Sequence, residues 1–564
     1  MDRATAPSRA APRWRGEAAR ALLVLPLLGA AAASACALNQ QGVDPPADTF
    51  FYPASAVVDP SESWLFVTNS NADLRYNDGT LVMVDLNGAE RDRTQPGGLV
   101  PATGAGAVQE TWGPCPQEDY VSPLSRSDPQ ICCWDLLDPN ILNCDERRYV
   151  QPDATVRIGS FAAGMVWQDL CSGPCDANAP ECMNQPAPAA NQGRLMIGVR
   201  GDTSLTWVDV KVTGGDPHPS FKCGQPSGSL GECGADHRII DTSSALTTET
   251  MDKSAPLVPV PDEPYALALD DQLGLLYVGH LVGSTATVDT GGVSLFNVSS
   301  TTMDLVSTTM DDGMSNFISP FPSPFPPNGS GAYGITALKR HVPLGQPPGV
   351  GHEIFASSRY VPLITSMGAF GNPSSGCLHD TADIVVEPAG ESFNTGLLGA
   401  EMRGVEFIEP PATDPAAPPD PTAPPPYANR AYALQRVPPA LVGFDIARNN
   451  SGGMVTTPTD VSETCSSPTF LYQHKVTDAE GTRLYVNCFD TGEIYVFDPA
   501  IPTLLTTFQV GRGPAGLVFP DDSSPIAYLL GFRDNNISVL DLAPGSQTQY
   551  HVIQRLGFPS ETPR

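Results

Sequence analysis

A short pattern of apolar runs and polar turns recurs seven times along the chain. Its clearest copy is the apolar run Trp64–Asn69, a polar turn and a second run, Leu81–Asp85. Two further copies pair 483–487 with 493–498 and 526–530 with 536–541. Runs of Val, Ile, Leu and Tyr between Gly, Asp and Asn are typical of β-strands, and their near-continuous apolar character indicates sheets covered on both faces. Because each pair follows a first strand of its own, the pattern predicts a radial array of small sheets.

The other four copies are less regular. They comprise 164–167 with 195–199 and 205–209, 264–269 with 275–278 and 293–297, 333–338 with 353–356 and 361–367, and 404–408 with 431–434 and 441–445. The copy that begins at residue 333 is the weakest. A fourth strand closes each unit, as 550–553 does in the last copy.

Six of the seven third strands end in a short polar residue. These residues are Asp85, Asp209, Asn297, Asp445, Asp498 and Asp541. Short carboxylate and amide side chains accept hydrogen bonds from the turn that follows them. We therefore interpret all six as turn formers and not as metal ligands.

The copies resemble the YVTN-type β-propeller repeat. The stretch 66–69 reads Phe-Val-Thr-Asn, one letter from that name, and Tyr277-Val278 and Tyr485-Val486 keep its first half. The resemblance covers nearly all of the chain after residue 50, and it implies an all-β, seven-bladed β-propeller around a central channel over 50–564. The family includes surface proteins, adhesion or scaffold modules, lactonase-like enzymes and redox enzymes, so the resemblance implies a fold and little chemistry.

Insertions interrupt the repeat in three places. Residues from about 89 to 155 form a Cys-rich insertion, after which 155–159 resume the outer strand of the first blade. Residues 319–328 and 409–427 are Pro-rich. They contain too few apolar residues to fold alone, so we expect extended loops.

Residues 1–35 have the features of a secretory signal. Five Arg precede the apolar run 21–28, which is too short to span a membrane. The sequence Ala33-Ser34-Ala35-Cys36 resembles a bacterial lipoprotein box, which implies that Cys36 is acylated; plain cleavage after Ala-x-Ala is the alternative. Several acyl chains would anchor the chain stably. Residues 36–49 then form a tether. Cys36 is followed by Ala37 and not by Asp, which by that resemblance favours the outer membrane.

The cysteine count agrees with export. Of 13 Cys, 12 remain beside Cys36, an even number that favours disulfides in an oxidising compartment. Cys223 and Cys233 lie ten apart in one Gly-rich loop, and Cys465 and Cys488 flank two neighbouring strands, so each pair is expected to bond. The seven others before residue 200 are Cys115, Cys132, Cys133, Cys144, Cys171, Cys175 and Cys182. Because seven is odd, Cys377 is expected to pair with one of them. A metal site is the alternative, but the stretch has no Cys-x-x-Cys and no His.

The charge of the chain is strongly negative. It has 31 basic and 62 acidic residues, and removal of residues 1–35 leaves 26 and 60, a net charge of −34. Such a surface repels nucleic acid and anionic headgroups, which excludes nucleic-acid binding as the favoured function. Cationic partners, or partners bridged by divalent ions, remain open.

No catalytic motif, metal site or cofactor site is predicted. The chain lacks the Gly-x-Ser-x-Gly, His-Glu-x-x-His, Walker and calcium-loop patterns. His280 and His474 could meet at the axis of a propeller, although isolated histidines are the favoured interpretation. The pairs 270–271, 311–312 and 521–522 are Asp-Asp and could bind calcium, but acids are ordinary in turns.

Two functions from different classes remain. The favoured one is a membrane-anchored, non-enzymatic binding or scaffold module whose partner is an envelope protein or cell-surface component. The alternative is a metal-dependent, lactonase-like hydrolase that acts at the mouth of the channel. Three or more Asp, Glu, His or Asn side chains converging on one point of the channel would favour the enzyme.

Overall fold

The computed structural model describes a large part of the chain. The described residues are 42–94, 112–115, 131–169, 193–211, 217–224, 230–239, 263–270, 274–281, 293–298, 303–305, 317–318, 334–341, 352–370, 385–408, 430–448, 454–477, 481–500 and 503–559. Asp44–Arg564 forms one compact unit and Met1–Val43 another. Cys36 and the predicted signal lie outside the described residues.

Residues 44–49, assigned from sequence to the tether, belong to the larger unit. The Thr155 hydroxyl donates a hydrogen bond of 2.7 Å to the carbonyl of Ala47. Residues 44–49 are therefore part of the propeller unit, and a tether before them stays a prediction. Within the described part of the chain, no helix is long and apolar enough to cross a membrane.

The larger unit is built almost entirely from short strands. In chain order they are β1 (Pro53–Val58), β2 (Trp64–Asn69), β3 (Thr80–Asp85), β4 (Cys132–Trp134), β5 (Leu142–Cys144), β6 (Val156–Arg157), β7 (Ala162–Asp169), β8 (Gly193–Val199), β9 (Ser204–Lys211), β10 (Ser220–Lys222), β11 (Arg238–Ile239), β12 (Pro264–Asp270), β13 (Leu275–His280), β14 (Val293–Val298), β15 (Met303–Leu305), β16 (Phe317–Ile318), β17 (Ile335–His341), β18 (His352–Ser358), β19 (Leu363–Phe370), β20 (Val385–Asn394), β21 (Ala400–Ile408), β22 (Arg430–Val437), β23 (Ala440–Arg448), β24 (Met454–Glu463), β25 (Pro468–His474), β26 (Arg483–Cys488), β27 (Glu493–Asp498), β28 (Thr503–Gln509), β29 (Pro514–Val518), β30 (Ile526–Gly531), β31 (Asn536–Asp541) and β32 (His551–Leu556).

These strands form seven sheets, which confirms the predicted seven-bladed β-propeller. The blades are β1-β2-β3-β6, β7-β8-β9-β10, β12-β13-β14-β15, β17-β18-β19-β20, β21-β22-β23-β24, β25-β26-β27-β28 and β29-β30-β31-β32. Strands β11 and β16 pair with the third strands β9 and β14. The weak copy from residue 333 is a complete fourth blade, and Val156–Arg157 resumes the first blade after the insertion, as predicted.

The core lies between neighbouring blades. The middle strands are buried on both faces, so every residue of β8 is buried and the sequence there reads as a continuous apolar run. The first strand β12 alternates between buried and half-buried residues because one of its faces borders the axis. Each fully buried aliphatic or aromatic side chain contributes about 1.5–3 kcal/mol to the free energy of unfolding.

The Cys-rich insertion joins the first blade to the last one. It begins with a helix, α1 (Leu86–Thr94), three residues earlier than the sequence indicates. Its strand β5 then pairs in parallel with the outer strand β32 of blade seven, and β4 pairs with β5. An ion pair between Arg555 and Asp135, 3.0 Å long, holds the added hairpin to that blade. The chain then returns to β6 and completes blade one.

Four disulfides lie within the described residues. Cys223–Cys233 and Cys465–Cys488 are the two local pairs expected from the sequence. Two more fasten the insertion, Cys115–Cys133 and Cys132–Cys144. The remaining partners proposed from sequence, Cys171, Cys175, Cys182 and Cys377, lie outside the described residues.

Candidate functional site

All seven first strands carry a β-bulge near their start. In each blade the pairing of the first and second strands shifts register at the same place. The residues left unpaired by the shift are Ala54, Ala163 with Gly164, Tyr265, Thr336, Arg403, Thr469 and Ala515. A bulge redirects a side chain, and here all of these residues line one central cavity of about 680 Å³.

Four of the bulges have a signal in the sequence. Pro53, Pro264, Pro468 and Pro514 each begin a first strand, two positions before its regular pairing resumes. Proline cannot donate to a strand ladder and is typical of a strand's first residue or of a bulge. The recurrence of Pro before these apolar runs could therefore have located the cavity ring from sequence alone.

A second, aliphatic ring lies two positions beyond the bulges. Its members are Ala56, Met165, Leu267, Leu338, Val405, Leu471 and Leu517, and all of them line the cavity. The bulged residues of blades three to six have the polar side chains of Tyr, Thr and Arg, whereas those of blades seven, one and two are the small residues Ala and Gly. The aliphatic ring makes the wall of the cavity largely apolar, whereas the bulged ring adds polar side chains at one end.

One ion pair in the wall of the cavity joins the neighbouring blades four and five. The Lys339 ammonium lies 2.5 Å from Oε2 of Glu406, whose residue is only 5% exposed. Burial raises the pKa of the Glu406 carboxyl above its usual range, while Lys339 opposes that rise. Tyr472 of blade six lies in the same cavity, and burial raises the pKa of its hydroxyl.

The end of the cavity beside the bulges is rich in arginine. In each blade the second strand runs antiparallel to the first, so its end pairs with the start of the first strand. The residue directly after the second strand therefore lies next to the bulge, and in blades two and four this residue is Arg200 and Arg359. Glu401, whose φ of 62° is left-handed, lies 3.2 Å from Arg403, 3.3 Å from Arg436 and 4.0 Å from Arg359. Three guanidinium groups share one carboxylate, so this part of the site carries excess positive charge.

Aromatic rings occupy the same end on the blades that follow. Phe489 and Phe532 come directly after the second strands of blades six and seven and line the cavity. Their ring centroids lie 5.9 Å apart, and Tyr52 lies 5.2 Å from Phe532. We call this end the channel mouth: Arg403, Phe489 and Phe532, which line the cavity, together with their neighbours Tyr52, Arg359, Glu401 and Arg436.

The structure keeps His280 and His474 apart. His280 pairs in register with the start of its blade's first strand, whereas His474 ends a first strand, so the two lie at opposite ends of their blades. Nε2 of His280 lies 2.7 Å from the Ser294 hydroxyl, and Nε2 of His474 lies 2.7 Å from the Ser524 carbonyl. Neither side chain lines the cavity. Burial lowers the pKa of His474, which favours its neutral form.

The predicted turn-forming residues divide into two groups. The carboxylates of Asp85, Asp498 and Asp541 accept hydrogen bonds of 2.8–2.9 Å from backbone N–H groups two or three residues on, as predicted. Asp209 and Asp445 instead form ion pairs across the sheet, and Asp498 does both, since it also lies 3.7 Å from Arg483.

These ion pairs follow a constant spacing. Arg194 lies 2.7 Å from Asp209 and Arg430 lies 3.2 Å from Asp445, each 15 residues apart in sequence. The spacing is visible in the sequence, since each Arg lies at the start of a second strand and each Asp near the end of the third. The side chain of Asn297 lies outside what is described.

Two of the Asp-Asp pairs that could bind calcium lie at least partly within the described residues. Asp270 is buried and lies 3.4 Å from Arg340, and Asp521 accepts a hydrogen bond from the backbone N–H of Ser523. Residues 271 and 311–312 lie outside the described ranges. Among the residues that the structure describes, no three His, Cys, Asp or Glu side chains are placed to hold a metal ion.

Comparison with known proteins adds little beyond the fold. No family model and no curated protein matches the chain. Solved structures similar to it include Kuenenia stuttgartiensis hydrazine synthase (10% identity, 91% of this chain and 99% of that chain, TM-score 0.40). Saccharomyces cerevisiae Sqt1 is 8% identical over 89% of this chain and 85% of that chain, with a TM-score of 0.41. Chaetomium thermophilum Sqt1 is 11% identical over 90% of this chain and 98% of that chain, with a TM-score of 0.39. Likenesses this weak carry no conclusion about activity, and membership of the YVTN and lipoprotein families stays a prediction.

Proposed function

We propose that this protein is a non-enzymatic binding module of the bacterial cell envelope, anchored through acylated Cys36, and that the channel mouth is its recognition surface. The observation that carries the proposal is the convergence of seven bulges, one from each blade, on a single cavity. A concave, largely apolar site with a few placed polar groups is the usual form of a binding site.

The frame around the mouth favours recognition by a preorganised surface. Disulfides fasten blades two and six and the insertion that links blade one to blade seven. A site held in its binding conformation loses less conformational entropy when its ligand binds. The mouth is therefore suited to binding without rearrangement.

Charge supports the choice of surface. The chain as a whole has a net charge of −31, yet the three arginines around Glu401 make the mouth locally positive. A local reversal of charge directs a partner of complementary charge to that position. The expected partner is an envelope protein or another cell-surface component and not nucleic acid, which the acidic body repels.

Site-specific photocrosslinking in living cells tests this proposal. A benzoylphenylalanine at Phe489, in the mouth, should give a discrete adduct of lower mobility. The matched position is Leu504 on the outer strand of the same blade, which is 46% exposed. Equal labelling at both positions, or no adduct at Phe489, would contradict a recognition role for the mouth.

A further inference from the structure

We infer that the channel mouth binds a carboxylate carried on a ring-containing organic molecule, with the carboxylate at Arg403 and the ring against Phe489 and Phe532. The inference rests on the proposed function, because it assigns a ligand class to the same surface. Its two possible sources are an aromatic acid and a sugar acid, which share a carboxylate and a ring with an aromatic or C–H face.

The arginines supply the anion site. Glu401 lies between Arg359, Arg403 and Arg436, and one carboxylate cannot neutralise three guanidinium groups. A guanidinium presents a planar fork of donors that matches a carboxylate, so a second carboxylate is the group that completes this cluster. Arg403 lines the cavity; Arg200 and Lys339 line it too, but each is paired with an acid, Glu263 at 3.1 Å and Glu406 at 2.5 Å.

Arg403 points to where that carboxylate would sit. Its residue is 9% exposed, it lines the cavity, and its Nε is buried without a hydrogen-bond partner among the described residues. A buried donor without an acceptor is costly, particularly on a charged group. A ligand oxygen at Nε would satisfy this donor and remove that cost.

The aromatic rings supply a place for the ligand's body. Phe489, Phe532 and Tyr52 form a row on blades six, seven and one, and the guanidinium of Arg533 covers Phe489 at 4.5 Å from the ring centroid. The cavity volume of about 680 Å³ suits a molecule of one or a few rings. Because the body of the protein is strongly acidic, a ligand with few negative charges is favoured over a polyanion.

Titration calorimetry on the full protein in mild detergent tests the inference. The probes are benzoate and glucuronate, and their neutral counterparts are benzamide and glucose. We expect one of the two acids to bind at least about tenfold more tightly than its neutral counterpart, because charge-assisted hydrogen bonds to Arg supply the difference. Which acid binds identifies the source.

Variants locate the site. Arg403→Gln, and independently Arg436→Gln at the more exposed edge, should each weaken binding of that acid by about tenfold. Arg430→Gln in the same blade is the matched control, since Arg430 lies at the opposite end of the same second strand from Arg436 and pairs with Asp445, not with Glu401. Circular dichroism confirms that each variant is folded.

Three results would overturn the inference: binding of neither acid, equal binding of acid and neutral counterpart, or equal weakening by the two variants in the mouth and by Arg430→Gln. If neither acid binds while the crosslinker at Phe489 still gives its adduct, only the ligand class is wrong. If both experiments fail, the proposed function fails as well.

Discussion

At the residue scale, Glu406 shows how folding changes a side chain that sequence alone leaves ordinary. Nothing in its neighbourhood in the chain distinguishes this Glu on a first strand, yet the adjacent blade brings Lys339 to within 2.5 Å and removes both from most of the solvent. Burial raises the pKa of the carboxyl, so the folded state holds this proton more readily than the unfolded chain does.

The sign of the pH dependence follows from that raised pKa. The stability contributed by the protonated group is complete below the unfolded pKa and is lost as the pH rises through the raised folded pKa. The free energy of unfolding of the neutral variant Glu406→Gln should therefore rise relative to that of the wild type as the pH rises from about 4 to about 8.

Urea unfolding of both proteins across that range measures the difference. Glu463→Gln, on the exposed end of the outer strand of blade five, is the control for loss of a surface carboxylate. A difference between Glu406→Gln and wild type that stays constant with pH would contradict the prediction.

At the scale of elements, the insertion acts as a brace for the ring. Each blade is made from its own stretch of chain, and among the described strands only β4 and β5 of the insertion join the sheet of another blade. Its strand β5 extends blade seven, and the side chain of Gln554 on β32 donates to the carbonyl of Ala89 at 3.1 Å. The first and last blades are thereby linked outside their direct contact at the axis.

Removal of the Cys132–Cys144 bond should test this brace. Cys132→Ser with Cys144→Ser is expected to lower the free energy of unfolding by about 2–4 kcal/mol. The control is Cys223→Ser with Cys233→Ser, because its sequence separation of 10 is close to the 12 of the hairpin bond. Loops of similar length contribute similarly through chain entropy, so a larger loss for the hairpin pair measures ring closure. Equal losses in urea unfolding would show that the hairpin does not brace the ring.

At the scale of the whole molecule, charge and the proposed anchor act together. A net charge of −31 would keep the propeller away from anionic headgroups, so any attachment to the membrane would depend on acylated Cys36. The tether now proposed ends at residue 43, since residue 44 begins the larger compact unit.

Replacement of Cys36 by Ala should release the protein from membranes. Wild-type protein is expected in the membrane pellet and the variant in the soluble fraction after cell fractionation, because the acyl chains would supply the attachment. A high-salt wash removes material held only by surface charge. A variant that still sediments with membranes after that wash would rule out the lipid anchor.

The sequence by itself determined the repeat, the number of blades and the local disulfides. An apolar run between turn residues is a local pattern, and each blade is made from consecutive strands. The blades can therefore be counted without knowledge of contacts between distant residues, and even the weak copy from residue 333 is recognisable. Cys223 and Cys233 lie ten residues apart, which makes their pairing a local matter as well.

Only the tertiary structure decided what the ring encloses and how the insertion is used. Arg359, Arg403 and Arg436 come from different strands and meet at Glu401 because blades four and five stand side by side around an axis. Leu142 pairs with Gln554, more than 400 residues away, by adding a strand to an edge that any extended segment could extend. Backbone pairing at an edge carries no sequence code, and a channel takes one residue from each blade, so both arrangements arise only when the ring forms.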